Sequence, residues 1–253
     1  MAGAGSSGLP SRVLRAAKLE RAIQTSGIRP GSAHPCPYLP GREARNLTIR
    51  PVPLLPGVYQ ALMALNFRRA GAAFYRPECE GCRECRATRV AVGGYRPNRA
   101  QRRCRARNRD VEVRVEAPVP TLEKHELYRR YLEARHDGQM DGSYREYLGF
   151  LHSSPIYTLE LQYRIGERLF AVGIADLEPQ AMSAVYCYFD PDQSDRSPGT
   201  LNVLTMIDEC RRRGIEFLYL GYSVEACPQM SYKLRFRPCQ LLGPDGEWRE
   251  RQG

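Results

Sequence analysis

Three consecutive strand-like runs, followed by an amphipathic helix and one further apolar run, constrain this chain more than any other feature. The runs cover 157–165, 169–177 and 181–189, and Gly166-Glu167 makes the turn between the first two. Apolar residues recur at helical spacing over 200–213, Gly214 ends that pattern, and 216–220 is short and apolar, as a buried strand is. Two helices precede the runs. Thr121 caps one that extends to about His136, and Ser143-Tyr144-Arg145-Glu146 has the capping-box form that starts another. The order helix, helix, three antiparallel strands, loop, helix, strand makes this half an α+β unit.

Ala117-Pro118-Val119-Pro120 is the expected joint with what comes before. The expected division is a loose stretch over 1–30, a smaller cysteine-containing α/β domain over 31–117, the α+β domain over 121–240 and a tail over 241–253. In the smaller domain, Pro56 opens a helix with Val58, Leu62 and Leu65 on one side, closed by Gly71. Phe74-Tyr75 and 88–92 are expected strands on either side of a cysteine loop. Asn98 is an N-cap with Gln101 three residues on. In the helix it starts, Arg99, Arg102, Arg103 and Arg107 share one face. The residues 111–115 alternate as a half-buried strand does.

The 253 residues carry a net charge of +10, a field that attracts nucleic acid or an anionic membrane surface. Its clustering is more telling. The stretch from Tyr95 to Arg109 holds seven arginines and no acid, and like charges at i and i+4 destabilise a lone helix, so an anionic partner is expected there. The nine cysteines accompany no secretory leader, and no apolar run is long enough to span a bilayer. A cytoplasmic, reducing setting without a membrane is the expectation, although the Arg/Ala-rich 12–24 has some likeness to a transit peptide. Cys36, Cys79, Cys82 and Cys85 are four thiols that suit zinc or an iron–sulfur cluster. The alternative is a reduced thiol loop packed on Tyr38. Cys104, Cys187, Cys210, Cys227 and Cys239 have the pattern of buried small residues.

The second-half order resembles the N-acetyltransferase-like (GNAT) acyltransferase fold. In that fold the fourth and fifth strands splay into a V that holds the acyl donor, and the loop before the next helix offers it backbone amides. Here the donor loop would use Arg196, Ser197, Gly199 and Thr200. Pro198 lacks an N–H and only one glycine is present, which disfavours coenzyme A. A wider resemblance runs in order through most of the chain. Its blocks are Cys36-Pro37-Tyr38-Leu39-Pro40-Gly41-Arg42, Phe67-Arg68-Arg69, Cys79 to Cys85, and Arg96-Pro97-Asn98-Arg99-Ala100-Gln101-Arg102-Arg103. They continue with Tyr131 and Arg135-His136, Ser183-Ala184-Val185-Tyr186, Phe189-Asp190-Pro191, and Arg196-Ser197-Pro198-Gly199-Thr200. The last are Tyr219-Leu220-Gly221-Tyr222, Met230-Ser231-Tyr232-Lys233 and Phe236-Arg237-Pro238. Together they resemble the bacterial aspartate/glutamate leucyltransferases, cousins of the eukaryotic arginyl-tRNA–protein transferases.

That resemblance implies transfer of leucine from Leu-tRNA to the α-amine of proteins beginning with Asp or Glu, marking them for degradation. Arginyl transfer to the same acceptors, a coenzyme A-dependent N-acetyltransferase and a non-enzymatic RNA-binding module are the competing readings. Aminolysis of an ester needs a neutral amine, a polarised carbonyl and a proton for the leaving oxygen. A free α-amine titrates at about 7.7–8.0, so orientation rather than a strong base is expected to dominate, and no cofactor is required. Tyr186 and Asp190, alternating on the strand before the donor loop, and Tyr222 on the opposite strand are the expected reacting-centre groups. Arg135, His136, Lys233 and Arg237 are the expected cations for the acceptor carboxylate. Arg99, Arg102, Arg103 and Arg107 would take tRNA phosphate. Each has a plain alternative: sheet core, a turn start, or a solvated basic face.

Overall fold

The computed structural model describes residues 11–50, 54–136 and 140–251. Its centre is an eight-stranded sheet in the order β13-β12-β6-β11-β10-β9-β8-β7. The strands are β6 (Arg86–Ala91), β7 (Glu112–Glu116), β8 (Thr158–Ile165), β9 (Arg168–Glu178), β10 (Ala181–Phe189), β11 (Phe217–Ser223), β12 (Cys239–Leu242) and β13 (Trp248–Glu250). A three-stranded sheet, β3 (Asn46–Ile49), β5 (Ala73–Pro77) and β4 (Arg68–Ala70), and a short pair, β1 (His34–Pro35) with β2 (Glu43–Ala44), complete the β structure. The helices are α1 (Ser11–Thr25), α2 (Val58–Ala64), α3 (Arg99–Arg107), α4 (Leu122–His136), α5 (Tyr144–Tyr147), α6 (Pro198–Arg212) and α7 (Pro228–Ser231). The class is a mixed one built on a large sheet.

Two helical layers cover that sheet. On one face α6 brings Leu201, Leu204 and Ile207 into a core with Tyr163, Phe170 and Met182. It comes this close because β9 has Gly173 beneath it, where a Cβ would meet Asn202 Oδ1 at 2.0 Å. On the other face α4 supplies Leu127, Tyr128 and Leu132 to a core with Val172, Ile174 and Tyr188. Further along that face, α1, α2 and the small sheet bury Ile23, Tyr59, Leu62, Phe67 and Phe74 with Ala181 and Tyr219.

The local expectations from the chain have clear physical counterparts. Asn98 accepts from Gln101 N while the Gln101 side chain accepts from Asn98 N, so both halves of the capping box form. Thr121 Oγ1 accepts from Lys124 N at 3.3 Å. Four features differ. The helix after Pro56 ends at Ala64, and Gly71 (φ +56) instead turns β4 into β5. Residues 11–25, expected to be loose, form α1, whose Leu19 and Ile23 pack on the core while Glu20 binds Arg76 at 2.7 Å. The expected tail supplies β13 and the end of β12. Finally, β6 and β7 precede the proline-rich joint and yet are strands of the same sheet as β8 to β11, so no sheet boundary falls at 117–120.

Candidate functional site

The sheet has one parallel pair among its described strands, β10 with β11, and that pair comes apart. Register holds from Ala181 opposite Phe217 to Ser183 opposite Tyr219 and stops there. Each strand is irregular at the same level, between Ala184 and Tyr186 in β10 and between Tyr219 and Gly221 in β11. The unpaired part lies toward the carboxyl ends of both strands, the edge where ligands of open parallel arrangements bind.

Arg68 enters the split from β4. Its Nη2 donates to Ala184 O at 3.2 Å and Val185 O at 3.3 Å, the carbonyls freed where the strands part. Its Cζ lies 5.5 Å from the Tyr222 ring centre. Gly221 is at φ +77, and a Cβ there would lie 2.2 Å from Arg68 Cζ, so only glycine allows the approach. Neighbouring Arg69 is different: it is fully buried and forks onto Asp176, Nε to Oδ2 at 2.6 Å and Nη2 to Oδ1 at 3.0 Å.

The residues expected at the reacting centre fall into two places. Tyr186 and Asp190 do share the α4 side of β10. Tyr186 packs among Phe150, Tyr128 and Tyr131 with ring centres 5.2, 6.1 and 6.2 Å away. Burial, then Tyr131 and Tyr128, raise its phenol well beyond the ordinary range. The Asp190 carboxylate is buried and already occupied: Arg130 Nη2 donates to Oδ1 at 2.7 Å, Arg168 Nη2 binds Oδ2, and Asp192 N donates to Oδ1. Two guanidinium groups and a backbone amide thus take up both of its oxygens. Tyr222 is buried, and its hydroxyl donates to Asn66 O at 2.8 Å and Tyr75 O at 3.1 Å. Its phenol is also raised well above the usual value, first by burial.

The cations expected for the acceptor carboxylate are divided. Lys233 points inward, and its buried Nζ donates to Tyr222 O at 2.7 Å and contacts Met230 Sδ at 3.8 Å. Burial, then the Arg68 guanidinium, push its ammonium well below the ordinary lysine range. Arg235 and Arg237 are exposed, and the Arg235 carbonyl is held by Gln101 Nε2 of α3 at 3.1 Å. Phe236 between them stacks on Tyr95. Arg237 therefore joins the α3 side of the molecule rather than the split. Arg135 is exposed, with Cζ 5.5 Å from the Phe189 ring centre at the open end of β10. The side chain of His136 lies outside what the structure describes.

Arg99, Arg102, Arg103 and Arg107 are all exposed on α3. The helix is held down by buried Gln101, Cys104 and Asn108, and by half-buried Arg105 bound to Asp208. Two of the four have local tasks: Arg102 donates to Pro97 O and Arg107 to Asp195 O. The end of α3 thus grips the expected donor loop. Asn108 Nδ2 donates to Arg196 O at 2.9 Å, and Arg196 pairs with Asp110 at 2.8 Å. Ser197 takes φ +57, Pro198 starts α6, and Thr200 N is used by Ser197 O, so Gly199 carries the free amide of that turn.

Cys36, Cys79, Cys82 and Cys85 line one cavity of about 390 Å³ with Tyr38, Tyr75 and Tyr222. Cys36 N donates to Arg42 O at 2.8 Å, closing the β1–β2 hairpin that presents its thiol. Asn66, in the left-handed region at φ 68, donates to Cys85 O and accepts from Ala87 N, which fixes the other side. Burial, then the other three thiols, push Cys85 up to about 12. Four thiols are the right donors for a soft metal, yet no three metal-ligating side chains converge as a ligand set among the described residues. Arg68 and Gly221 stand in the chain only inside longer motifs, and nothing local in the sequence marks Asn66.

With both halves of the site in view, the kinship is clear. The N-terminal model of the arginine-tRNA-protein transferases matches residues 34–103, and the C-terminal model matches 123–243. The chain belongs to the arginine-tRNA-protein transferase family. It is 39% identical over 212 residues to the aspartate/glutamate leucyltransferase of Pseudomonas paraeruginosa, covering 83% of this chain and 90% of that one. It is 40% identical over the same shares to that of Pseudomonas putida. Among solved structures, that of FemX overlaps 83% of this chain and 68% of its own at 9% identity and a TM-score of 0.44, too loosely to bear on the site.

Proposed function

We propose that this protein moves leucine from Leu-tRNA to the α-amine of proteins beginning with Asp or Glu, in the cytoplasm, and thereby marks them for degradation. The observation that carries this reading is the match of both halves of the chain to one transferase family, with relatives named for leucyl transfer to aspartate and glutamate. The parting of β10 and β11 beside the 196–200 loop supports a GNAT-like acyltransferase arrangement. Pro198 and the single free amide of that loop argue against coenzyme A.

In this reading the aminoacyl ester lies in the split, its terminal nucleotide against the Arg196, Ser197, Gly199 and Thr200 loop. The exposed arginines of α3 take tRNA phosphates in a salt-sensitive, sequence-independent way. The attacking amine must shed a proton, and Lys233 is the side chain of the split suited to carry it. Arginine cannot lose its proton, whereas a desolvated lysine can, and this chain uses lysine at three positions against 35 arginines. The tyrosines around Tyr186 shape an apolar wall for the leucyl chain, and Arg135 stands at the rim. Cys36, Cys79, Cys82 and Cys85 would hold zinc or an iron–sulfur cluster as a brace between the β1–β2 hairpin and β6. Binding a metal there would require the thiols to give up their protons. Metal content of the purified protein against Cys79→Ala tests that part.

The decisive assay offers a total charged tRNA pool with labelled amino acids to peptides beginning Asp, Glu, Arg or Ala. Leucine on the Asp and Glu peptides alone is expected. Arginine on the same peptides would move the donor assignment and keep the chemistry, and no transfer to any peptide would overturn the reading.

A further inference from the structure

The split between β10 and β11 holds a cation, Arg68, with no ion-pair partner of its own among the described residues. Among the described residues no carboxylate pairs with Arg68, and its hydrogen bonds go to two backbone carbonyls through Nη2 alone. The titratable groups around it are the phenols of Tyr38, Tyr59, Tyr75, Tyr222 and Tyr232, uncharged at neutral pH, and the carboxylate of Asp176, which Arg69 already holds. Lys233 beside it is a second basic group. A half-buried guanidinium in such surroundings is costly unless an anion arrives. The contrast with Arg69 is direct: one residue along the same short strand, the guanidinium has its own buried aspartate.

The geometry is that of a prepared receptor. The backbone carbonyls of Ala184 and Val185 and the Cβ-free face of Gly221 fix the plane of the guanidinium. With Nη2 given to the two carbonyls, Nε and Nη1 remain on opposite edges of the guanidinium, so a carboxylate would meet one charge-assisted donor, held in a fixed direction that a flexible lysine ammonium does not offer. Lys233 cannot serve the same purpose, because its Nζ is committed to Tyr222 O. Arg135 and Arg237 are exposed, where a carboxylate would stay hydrated and bind weakly.

We infer that Arg68 receives the side-chain carboxylate of the acceptor's N-terminal Asp or Glu, and so is the residue that selects acidic acceptors and sets their α-amine in the split. This rests on the transferase reading above. A neutral Asn or Gln in that place leaves the guanidinium without its anion, which disfavours it by about ten- to a hundredfold, the range expected of one charge-assisted contact.

The test is the ratio of kcat/KM for a peptide beginning Asp to that for the same peptide beginning Asn, measured with leucyl-tRNA. Because both values come from one preparation, the ratio does not depend on how much of a variant is folded. In the wild type it is expected to exceed ten, and in Arg68→Gln to fall to within about threefold of unity, with Arg68→Lys in between. A ratio in Arg68→Gln equal to that of the wild type would reduce Arg68 to a prop between the strands and overturn the inference. So would a loss confined to the KM for leucyl-tRNA, which would assign the guanidinium to a tRNA phosphate. Should both variants lack activity, the wild type decides. Phenylglyoxal modification of Arg68, mapped by mass spectrometry, should be slowed by the Asp peptide and not by the Asn peptide; equal rates would sink the idea. Failure of leucine transfer by the wild type to any peptide would instead be a failure of the transferase reading.

Discussion

Replacing Arg69 with alanine should cost this protein about 3–5 kcal/mol, the usual consequence of stranding one partner of a buried ion pair. The structure gives the reason for the upper part of the range. Both side chains of the Arg69–Asp176 pair are completely buried, so no water enters to rescue the carboxylate. After the substitution Asp176 keeps only the Thr158 hydroxyl, at 2.8 Å from Oδ1. The Gly71 carbonyl loses its Arg69 Nη1 donor as well. Replacing the pair together, Arg69→Met with Asp176→Leu, should recover most of the loss, since the charge left behind rather than the missing attraction dominates. The assay is urea unfolding followed in parallel by far-UV circular dichroism and by fluorescence of Trp248, the chain's one tryptophan. The pair joins β4 of the small sheet to β9 of the large one, and β6 is built into the large sheet. One coincident transition is therefore expected by both probes, with the midpoint shifted and the slope unchanged. A loss under about 1 kcal/mol in the single variant would refute the reasoning, as would two separated transitions in the wild type.

Three further outcomes are expected. Gly221→Ala should lose more stability than Gly246→Ala: both glycines have positive φ, but a Cβ at 246 meets nothing while one at 221 strikes Arg68. The control carries only the backbone strain of about 1–2 kcal/mol, and equal losses in the two would contradict the close approach of the guanidinium. Arg99→Ala, Arg102→Ala and Arg103→Ala together should weaken tRNA binding at low salt and flatten the log–log salt dependence by about 2–3 units; an unchanged slope would move the tRNA elsewhere. Lys233 has a depressed pKa when folded, against 10.5 when free. Unfolding therefore takes up a proton between those two values, and stability rises with pH in that window by at most about 1.4 kcal/mol per unit. The stability of wild type relative to Lys233→Met should therefore rise as the pH climbs toward 10.5, and a difference that stays flat up to that value would show a lysine that stays charged.

What the chain discloses about this site depends on whether the information is local. The Asn98–Gln101 box, the Thr121 cap and the three strands from 157 to 189 depend on neighbours a few residues apart, and they stand where the periodicities place them. Three of the four thiols were also legible as a group, because the C-x-x-C-x-x-C loop limits where its sulfurs can go, whereas Cys36 joins them from over forty residues upstream. Other roles are set by partners far along the chain. Nothing within 67–69 tells which of two adjacent arginines meets Asp176, over a hundred residues away, and which is left facing the strand split. Lys233, Arg235 and Arg237 look like one basic cluster in sequence, but a short helical turn with Phe236 docked on Tyr95 sends the lysine inward and the arginines out. Asp190 has the position of a reacting group on an alternating strand, and only the fold reveals that Arg130 and Arg168 already hold it. The placement of β6 between β11 and β12 is of the same kind, a pairing across more than 120 residues that no joint-like proline stretch could announce. The consequence for function is specific. The small sheet delivers Arg68 from β4 into a gap made by β10 and β11, so neither half of the chain contains the site by itself. On the inference above, selection of the acceptor is thereby coupled to the contact between the two sheets, which the Arg69–Asp176 pair next to Arg68 helps to hold together with the Tyr59–Ser183 and Gly57–Glu178 hydrogen bonds.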